Sequence, residues 1–187
     1  MNVGKTLYVT NRNQWRKWLI KNHNKEKEVW LIYYLKASGK PRIPYNDAVE
    51  EALCYGWIDS TVKSVDEERF AQRFTPRRST SVLSEMNKER IRRLIKGKEM
   101  TSFGLEAVSH VFDKNKEDKF IISPDIIKAL KCNEQAWKNF QKFSDGYKRV
   151  RIGYIESQRK HNNEMFGKSL QNFIMKTAKN KKFGMVK

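Results

Sequence analysis

Apolar and polar positions alternate with different periods along the chain, and the changes of period mark its elements. Val29 to Leu35 (VWLIYYL) is apolar on consecutive positions, the pattern of a central strand covered on both faces. Ahead of it the spacing predicts a short strand over Thr6 to Val9 and a helix to about Lys21. Asn11, with Gln14 three residues on, starts that helix, and Trp15, Trp18 and Leu19 form its buried face. Gly39, Pro41 and Pro44 make the next stretch a loop. Ala48, Val49, Ala52 and Leu53 then fall on one face of a helix that Asn46 can cap and Gly56 can stop. A hairpin pattern follows, Trp57 to Val65 and Arg69 to Thr75, with the acidic triplet Asp66, Glu67 and Glu68 between the runs and Pro76 ending the second. On that second strand Phe70, Gln72 and Phe74 share one face, and Arg69, Ala71 and Arg73 share the other.

Helical periods take over beyond Arg78. Ser84 is placed to cap a helix that turns Met86, Ile91, Leu94 and Ile95 to the core and closes at Gly97. Thr101 caps another, Ser102 to Phe112, burying Phe103, Val108, Val111 and Phe112. Asp113 to Lys119 (DKNKEDK) is almost wholly polar and reads as a linker. Four further helices are expected: one opened by Ser123 and Pro124, one carrying Ala136, Trp137, Phe140 and Phe143, one capped by Ser144, and one from about Asn163. The pattern therefore predicts an α+β chain: a small antiparallel sheet with packed helices over residues 1–112, a linker over 113–122 and a small helical bundle over 123–187.

Composition narrows this picture. With 187 residues, 39% hydrophobic and 12% aromatic, the chain can bury a real core. A formal net charge of +18 predicts attraction to polyanions: nucleic acid, acidic lipid or acidic protein. Residues 1–100 carry 21 basic against 12 acidic side chains, and 101–187 carry 18 against 9, so each part nets +9 and the charge is spread. From Asp145 onward 11 basic side chains face 3 acids, which predicts a basic outer face on the last two helices. Cys54 and Cys132 lie far apart with no CxxC spacing, so neither a disulfide framework nor a zinc site is expected. The first residues lack the apolar core of a secretion signal, and no apolar run is long enough to span a bilayer. A cytoplasmic, non-transmembrane protein is the expectation.

Candidate chemistry concentrates around the hairpin. Asp59 lies early on one strand, Arg73, Arg77 and Arg78 lie late on the other, and antiparallel pairing brings those ends together, with Ser84 and Asn87 opening the next helix. Arginine forks beside the free amides of a helix start suit phosphate or carboxylate. The same residues also suit a plain structural reading, in which Asp59 pairs with an arginine and pins the hairpin. Cys54 sits beside Leu53 and Tyr55 on a helix and reads as core. His23, His110 and His161 lack ligand partners at helical spacing, no catalytic-serine elbow is present, and no cofactor pattern is found. Trp15, Trp18, Trp57 and Trp137 fall on apolar faces, which weakens a base-stacking reading.

The strings ALCYGWIDS (Ala52 to Ser60) and FTPRR (Phe74 to Arg78), the helix start SEMNKERIRRLI, WRKWL followed by His23, and the RIGYIES stretch (Arg151 to Ser157) resemble the YdeI/OmpD-associated family, whose members are also labelled bacteriocin-protection proteins. The chain departs from that pattern at Ser81 to Ser84, where the family has Ser-x-Trp-Ser, and at His161 to Glu164, where it has an arginine-rich loop. The resemblance implies a small helical C-terminal domain and a part in resistance to bacteriocins or cationic antimicrobial peptides, with no established reaction. It points to a non-catalytic factor that binds an anionic ligand or acidic partner. The alternatives are a small enzyme using Asp59 with the arginines, and non-specific nucleic-acid binding.

Overall fold

The computed structural model describes residues 3–78, 81–112 and 120–184. Contacts divide the chain into two units, residues 1–82 with 90–115 and residues 83–89 with 116–187. The charged stretch 113–119 lies outside the described residues.

The first unit is built on a four-stranded sheet in the order β1-β2-β4-β3, with β1 Thr6–Tyr8, β2 Val29–Tyr34, β3 Trp57–Ser64 and β4 Arg69–Pro76. β2–β4 and β4–β3 are antiparallel, whereas β1 joins β2 in parallel through the helix α1 (Arg12–Asn22). A parallel neighbour needs such a crossover, and the Asn11 start supplies it: the Asn11 side chain accepts from Gln14 N–H at 3.1 Å, and the Gln14 amide oxygen reaches back to Thr10 N–H at 2.8 Å. β2 is central and buried along nearly its whole length, as its unbroken apolar run predicts.

Register fixes the two faces. Val29, Leu31 and Tyr33 pair with Phe74, Gln72 and Phe70, and this face is covered by helices. There the fully buried Trp15 of α1 packs on Phe74 at 5.5 Å. Its indole N–H donates to Ala48 O of α2 (Tyr45–Cys54) at 3.0 Å. Trp18, half-buried, stacks on Trp15 at 5.2 Å and meets the edge of Trp57. The opposite face, Trp30, Ile32, Ala71 and Arg73, is closed by Val3 and by long cationic side chains, with Lys63 Nζ 4.9 Å from the Trp30 ring. Amphipathic stems can cover apolar surface while their charges stay wet.

Between α1 and α2 lies a buried carboxylate that no local pattern foretells. Glu51 is 1% exposed and is held by Arg12 and, at 3.0 Å, by Arg16, while Glu50 takes Arg12 and Arg93. Two local expectations are corrected, at α2 and α4. Asn46 does not cap α2; Pro44 holds that position and the Asn46 side chain turns to Arg90. α3 (Glu85–Lys96) closes at Gly97 as expected, and the left-handed residue of that turn is Lys98 (φ 56°), its N–H bonding Ile95 O and the next N–H bonding Leu94 O. α4 (Ser102–Val108), capped by Thr101 as predicted, ends four residues early and leaves Phe103 half-exposed.

The second unit holds α5 Pro124–Lys131, α6 Glu134–Lys142, α7 Asp145–Arg159 and α8 Asn163–Ala178, together with the first turn of α3. Ile126, Leu130, Ala136, Phe140, Ile155 and Phe173 form its core. Ser144 and Asn162 cap α7 and α8 with their side chains. Tyr154 of α7 is exposed, whereas Arg151 takes a buried place. The four-helix count and the α+β class match the sequence pattern.

Two glycines separate space from backbone freedom. A methyl at Gly104 would press into Cys54 O and stand 2.8 Å from Leu53 O, both main-chain atoms that cannot rotate aside. A methyl at Gly167, on exposed α8, would meet nothing within 4 Å. Helix propensity alone favours Ala by about 1 kcal/mol at either site, but overpacking costs roughly 1–3 kcal/mol or more. Gly167→Ala should therefore raise stability by about 0.5–1 kcal/mol and Gly104→Ala should lower it by about 2 kcal/mol, both read from urea midpoints.

Candidate functional site

The six residues singled out by sequence divide between the units: Asp59, Arg73, Arg77 and Arg78 belong to the sheet unit, Ser84 and Asn87 to the helical one. Ser84 does open α3, its hydroxyl accepting from Asn87 N–H at 3.2 Å.

Within the sheet unit the expected gathering of Asp59 with Arg73 does not occur, and the reason is parity. Asp59 pairs with Phe74 and so points to the covered face, while Arg73 pairs with Trp30 on the other. There Arg73 donates twice to Glu28, at 2.8 and 2.5 Å, and Trp30 Nε1 adds a third donor at 3.2 Å. These bonds, the arginine's first, hold the Glu28 carboxyl below its ordinary pKa. Arg73 is thus spent on a structural pair at the rim of a 300 Å³ basin shared with Lys63 and Thr61.

Arg77 differs. Its main chain extends the hairpin, N–H to Gly56 O at 2.8 Å, and its guanidinium donates to Ser81 O. Its Nε is buried without a partner among the described residues, and burial alone lowers the pKa of the group. Arg78 beside it is exposed. Here, at the exit of β4, a cation is partly stripped of water, and no carboxylate among the described residues pairs with it.

The covered face holds a second polar group, which sequence reasoning did not assemble. Tyr45 donates to Asp59 Oδ2 at 2.6 Å, and Arg90, 8% exposed, donates to Asn46 Oδ1 at 2.7 Å. Gln72, 4% exposed, donates to Ser60 O at 3.3 Å. Tyr33 stacks on Phe70 at 5.1 Å and is 2% exposed, and its hydroxyl has no hydrogen-bond partner among the described residues. Burial raises the pKa of the Tyr33 hydroxyl, with Tyr45 and Asp59 adding to it. Burial also raises that of Tyr45 and lowers that of Arg90. The signal available in sequence was Gln72 between Phe70 and Phe74, a polar residue at a core position. Cys54, by contrast, is buried with its thiol pushed up to about 12, mainly by desolvation, which fits a packing role. Among the described residues no cluster of His, Cys, Asp and Glu could hold a metal ion, and no helix is long and apolar enough to cross a membrane.

Comparison with known proteins divides the chain in a similar place, for one family profile, a domain of unknown function (DUF8412), matches residues 7–107. The chain belongs to the DUF8412 family. Residues 119–180 match the profile described as bacteriocin-protection, YdeI or OmpD-associated, and form a domain of that family. The strings at Ala52 to Ser60 and Phe74 to Arg78 therefore lie in the DUF8412 segment, and the YdeI/OmpD-associated match begins beyond them. No curated protein and no solved structure matches the chain.

The Glu28–Arg73 pair gives a pH test. A carboxyl held below its ordinary pKa in the fold stabilises above that ordinary value, and the contribution is lost as pH falls through the depressed one. Arg73→Gln should lower the urea midpoint at neutral pH, and the gap from wild type should close on acidification. Because both side chains are about one-third exposed, at 37% and 34%, the gap should also shrink in high salt.

Proposed function

We propose that the protein is a non-catalytic cytoplasmic factor of protection against bacteriocins or cationic antimicrobial peptides, acting by binding an anionic ligand or an acidic protein partner at Arg77 and Arg78. The observation that carries this reading is the Arg77 guanidinium, whose Nε is buried and unpartnered among the described residues and whose pKa burial depresses. Holding a cation in that state costs free energy that an incoming phosphate or carboxylate returns through charge-assisted, two-pronged hydrogen bonds. The net charge of +18 adds long-range attraction for such partners. The family of residues 119–180 supplies the protective context.

Thermal unfolding with inorganic phosphate, a nucleotide or an acidic peptide tests it. A ligand at a hundred times its Kd stabilises by about 2.7 kcal/mol, a readily measured rise in Tm. At least one of these probes should raise the Tm of wild type and leave Arg77→Ala unmoved. Without ligand, Arg77→Ala should be as stable as wild type or slightly more so, since it removes an uncompensated charge. Equal shifts in both proteins, or none in either, would sink the reading.

A further inference from the structure

On the face of the sheet away from the helices, the 300 Å³ basin beside Arg73 is lined by Gly4, Glu28, Trp30, Thr61, Lys63 and Arg73, all of the sheet unit. That volume stands at the small end of the range for ligand pockets. Solvent reaches it, for Gly4 and Thr61 are exposed and the side chains of Arg73 and Glu28 keep 37% and 34% of their surface. An irregularity of the sheet shapes its wall. Between Asp59, paired with Phe74, and Val62, paired with Gln72, β3 carries two residues where β4 carries one, so Ser60 and Thr61 stand against Arg73 alone. Such a bulge re-aims a side chain, and here it sets Thr61 on the wall with Arg73 and Lys63. From the covered face the buried Gln72 donates to Ser60 O at 3.3 Å and braces the bulge. A polar side chain at a core position thus serves the opposite face of the sheet.

We propose that this basin binds the carboxylate of a small monoanion, whose oxygens accept from Lys63 Nζ, Arg73 Nη1 and the Thr61 hydroxyl. The donors are in place and uncommitted. Arg73 gives Nε and Nη2 to Glu28 Oε2, at 2.8 and 2.5 Å, which leaves Nη1, and Trp30 Nε1 holds Glu28 Oε1 at 3.2 Å. Lys63 lies on the Trp30 ring, Nζ 4.9 Å from its centroid, and forms no ion pair among the described residues. An exposed contact of that kind is weaker than a charge-assisted hydrogen bond, so a carboxylate draws the ammonium over at little cost. Charge then sets the class. Lys63 and Arg73 are cations and Glu28 is the one carboxylate, so the lining keeps one net positive charge. A single negative charge balances it, whereas a dianion also meets Glu28, a cation meets Lys63, and a neutral amide leaves the excess unanswered. Arg77 is not among the lining residues, and the basin stands without it.

Acetate, sulfate and acetamide, which carry a single, a double and no negative charge, test the class. Each is titrated at constant ionic strength into the full 187-residue chain, with NMR following the backbone amides and the Trp30 indole N–H on the basin wall. Acetate should produce saturable shifts at Thr61, Lys63, Arg73 and the Trp30 indole, with sulfate and acetamide roughly tenfold weaker or more. Lys63→Gln should weaken acetate roughly tenfold and Thr61→Val roughly threefold, the worth of one charged and one neutral donor. Both should keep a Tm near wild type, because neither side chain is buried. Arg77→Ala should leave acetate binding unchanged, so failure at the basin is told apart from failure at the Arg77 exit. Absence of localised shifts with acetate, sulfate or acetamide binding as tightly as acetate, or unchanged acetate affinity in Lys63→Gln would each overturn the proposal.

Discussion

The sheet unit depends on one side chain more than any other. Trp15 leaves α1, lays its ring on Phe74 of β4, stacks with Trp18 and ties its N–H to the α2 main chain at Ala48. Helix, helix and sheet are thereby set against each other by one fully buried ring, and truncating such a ring costs about 3–5 kcal/mol. The other arrangements follow from that seat. α2 lies close enough for Tyr45 to reach Asp59, and Glu51, drawn between α1 and α2, needs two arginines to be tolerated there. A buried carboxylate with partners on the neighbouring helix makes the helix pairing specific, since sliding either helix would strand the charge.

What the sequence disclosed, and what it withheld, divides along the line between local and distant causes. The hairpin, the buried central strand and the caps at Asn11, Thr101 and Ser144 depend on residues close in the chain, and they could be read from spacing. Parity along β4 likewise assigned Phe70, Gln72 and Phe74 to one face and Arg69, Ala71 and Arg73 to the other. The misreadings came where a distant partner outbid a local one. Asn46 had a cap within reach, and Arg90, 44 residues on, took its side chain instead. Gly97 follows the last residue of α3 as expected, yet the left-handed position falls one residue later, on Lys98, where a Cβ carries a strain of roughly 1–2 kcal/mol. Phe103 sat on a periodic stripe but at a position the fold leaves open beside His23.

The candidate site shows the same division in sharper form. Bringing Asp59 and Arg73 together required only that two strand ends meet, and they do meet; the step missed was that adjacent positions on a strand face opposite ways. Arg73 was then free to be claimed by Glu28, a residue with no motif around it. The polar group on the covered face draws on β2, β3, β4, α2 and α3, so no window of sequence contains it. Only Gln72, and a tyrosine within a run of apolar residues, stood in the sequence as unexplained polarity.

Helix α3 gives its opening turn, through Glu89, to the helical unit and its remainder, from Arg90, to the sheet unit. In the helical unit that turn brings Glu85 and Glu89 against Gly153 and Gly146 of α7, seven residues apart, and a methyl at Gly153 would stand 2.6–2.8 Å from the stem of Glu85. The parts of the chain are therefore interleaved and not merely concatenated. No single continuous fragment of the polypeptide contains the whole of the sheet unit without also carrying a turn of its neighbour, and the helical unit taken from residue 116 onward lacks the turn that fills the α7 glycines. The DUF8412 match, residues 7–107, accordingly takes in the turn at 83–89 that packs within the helical unit.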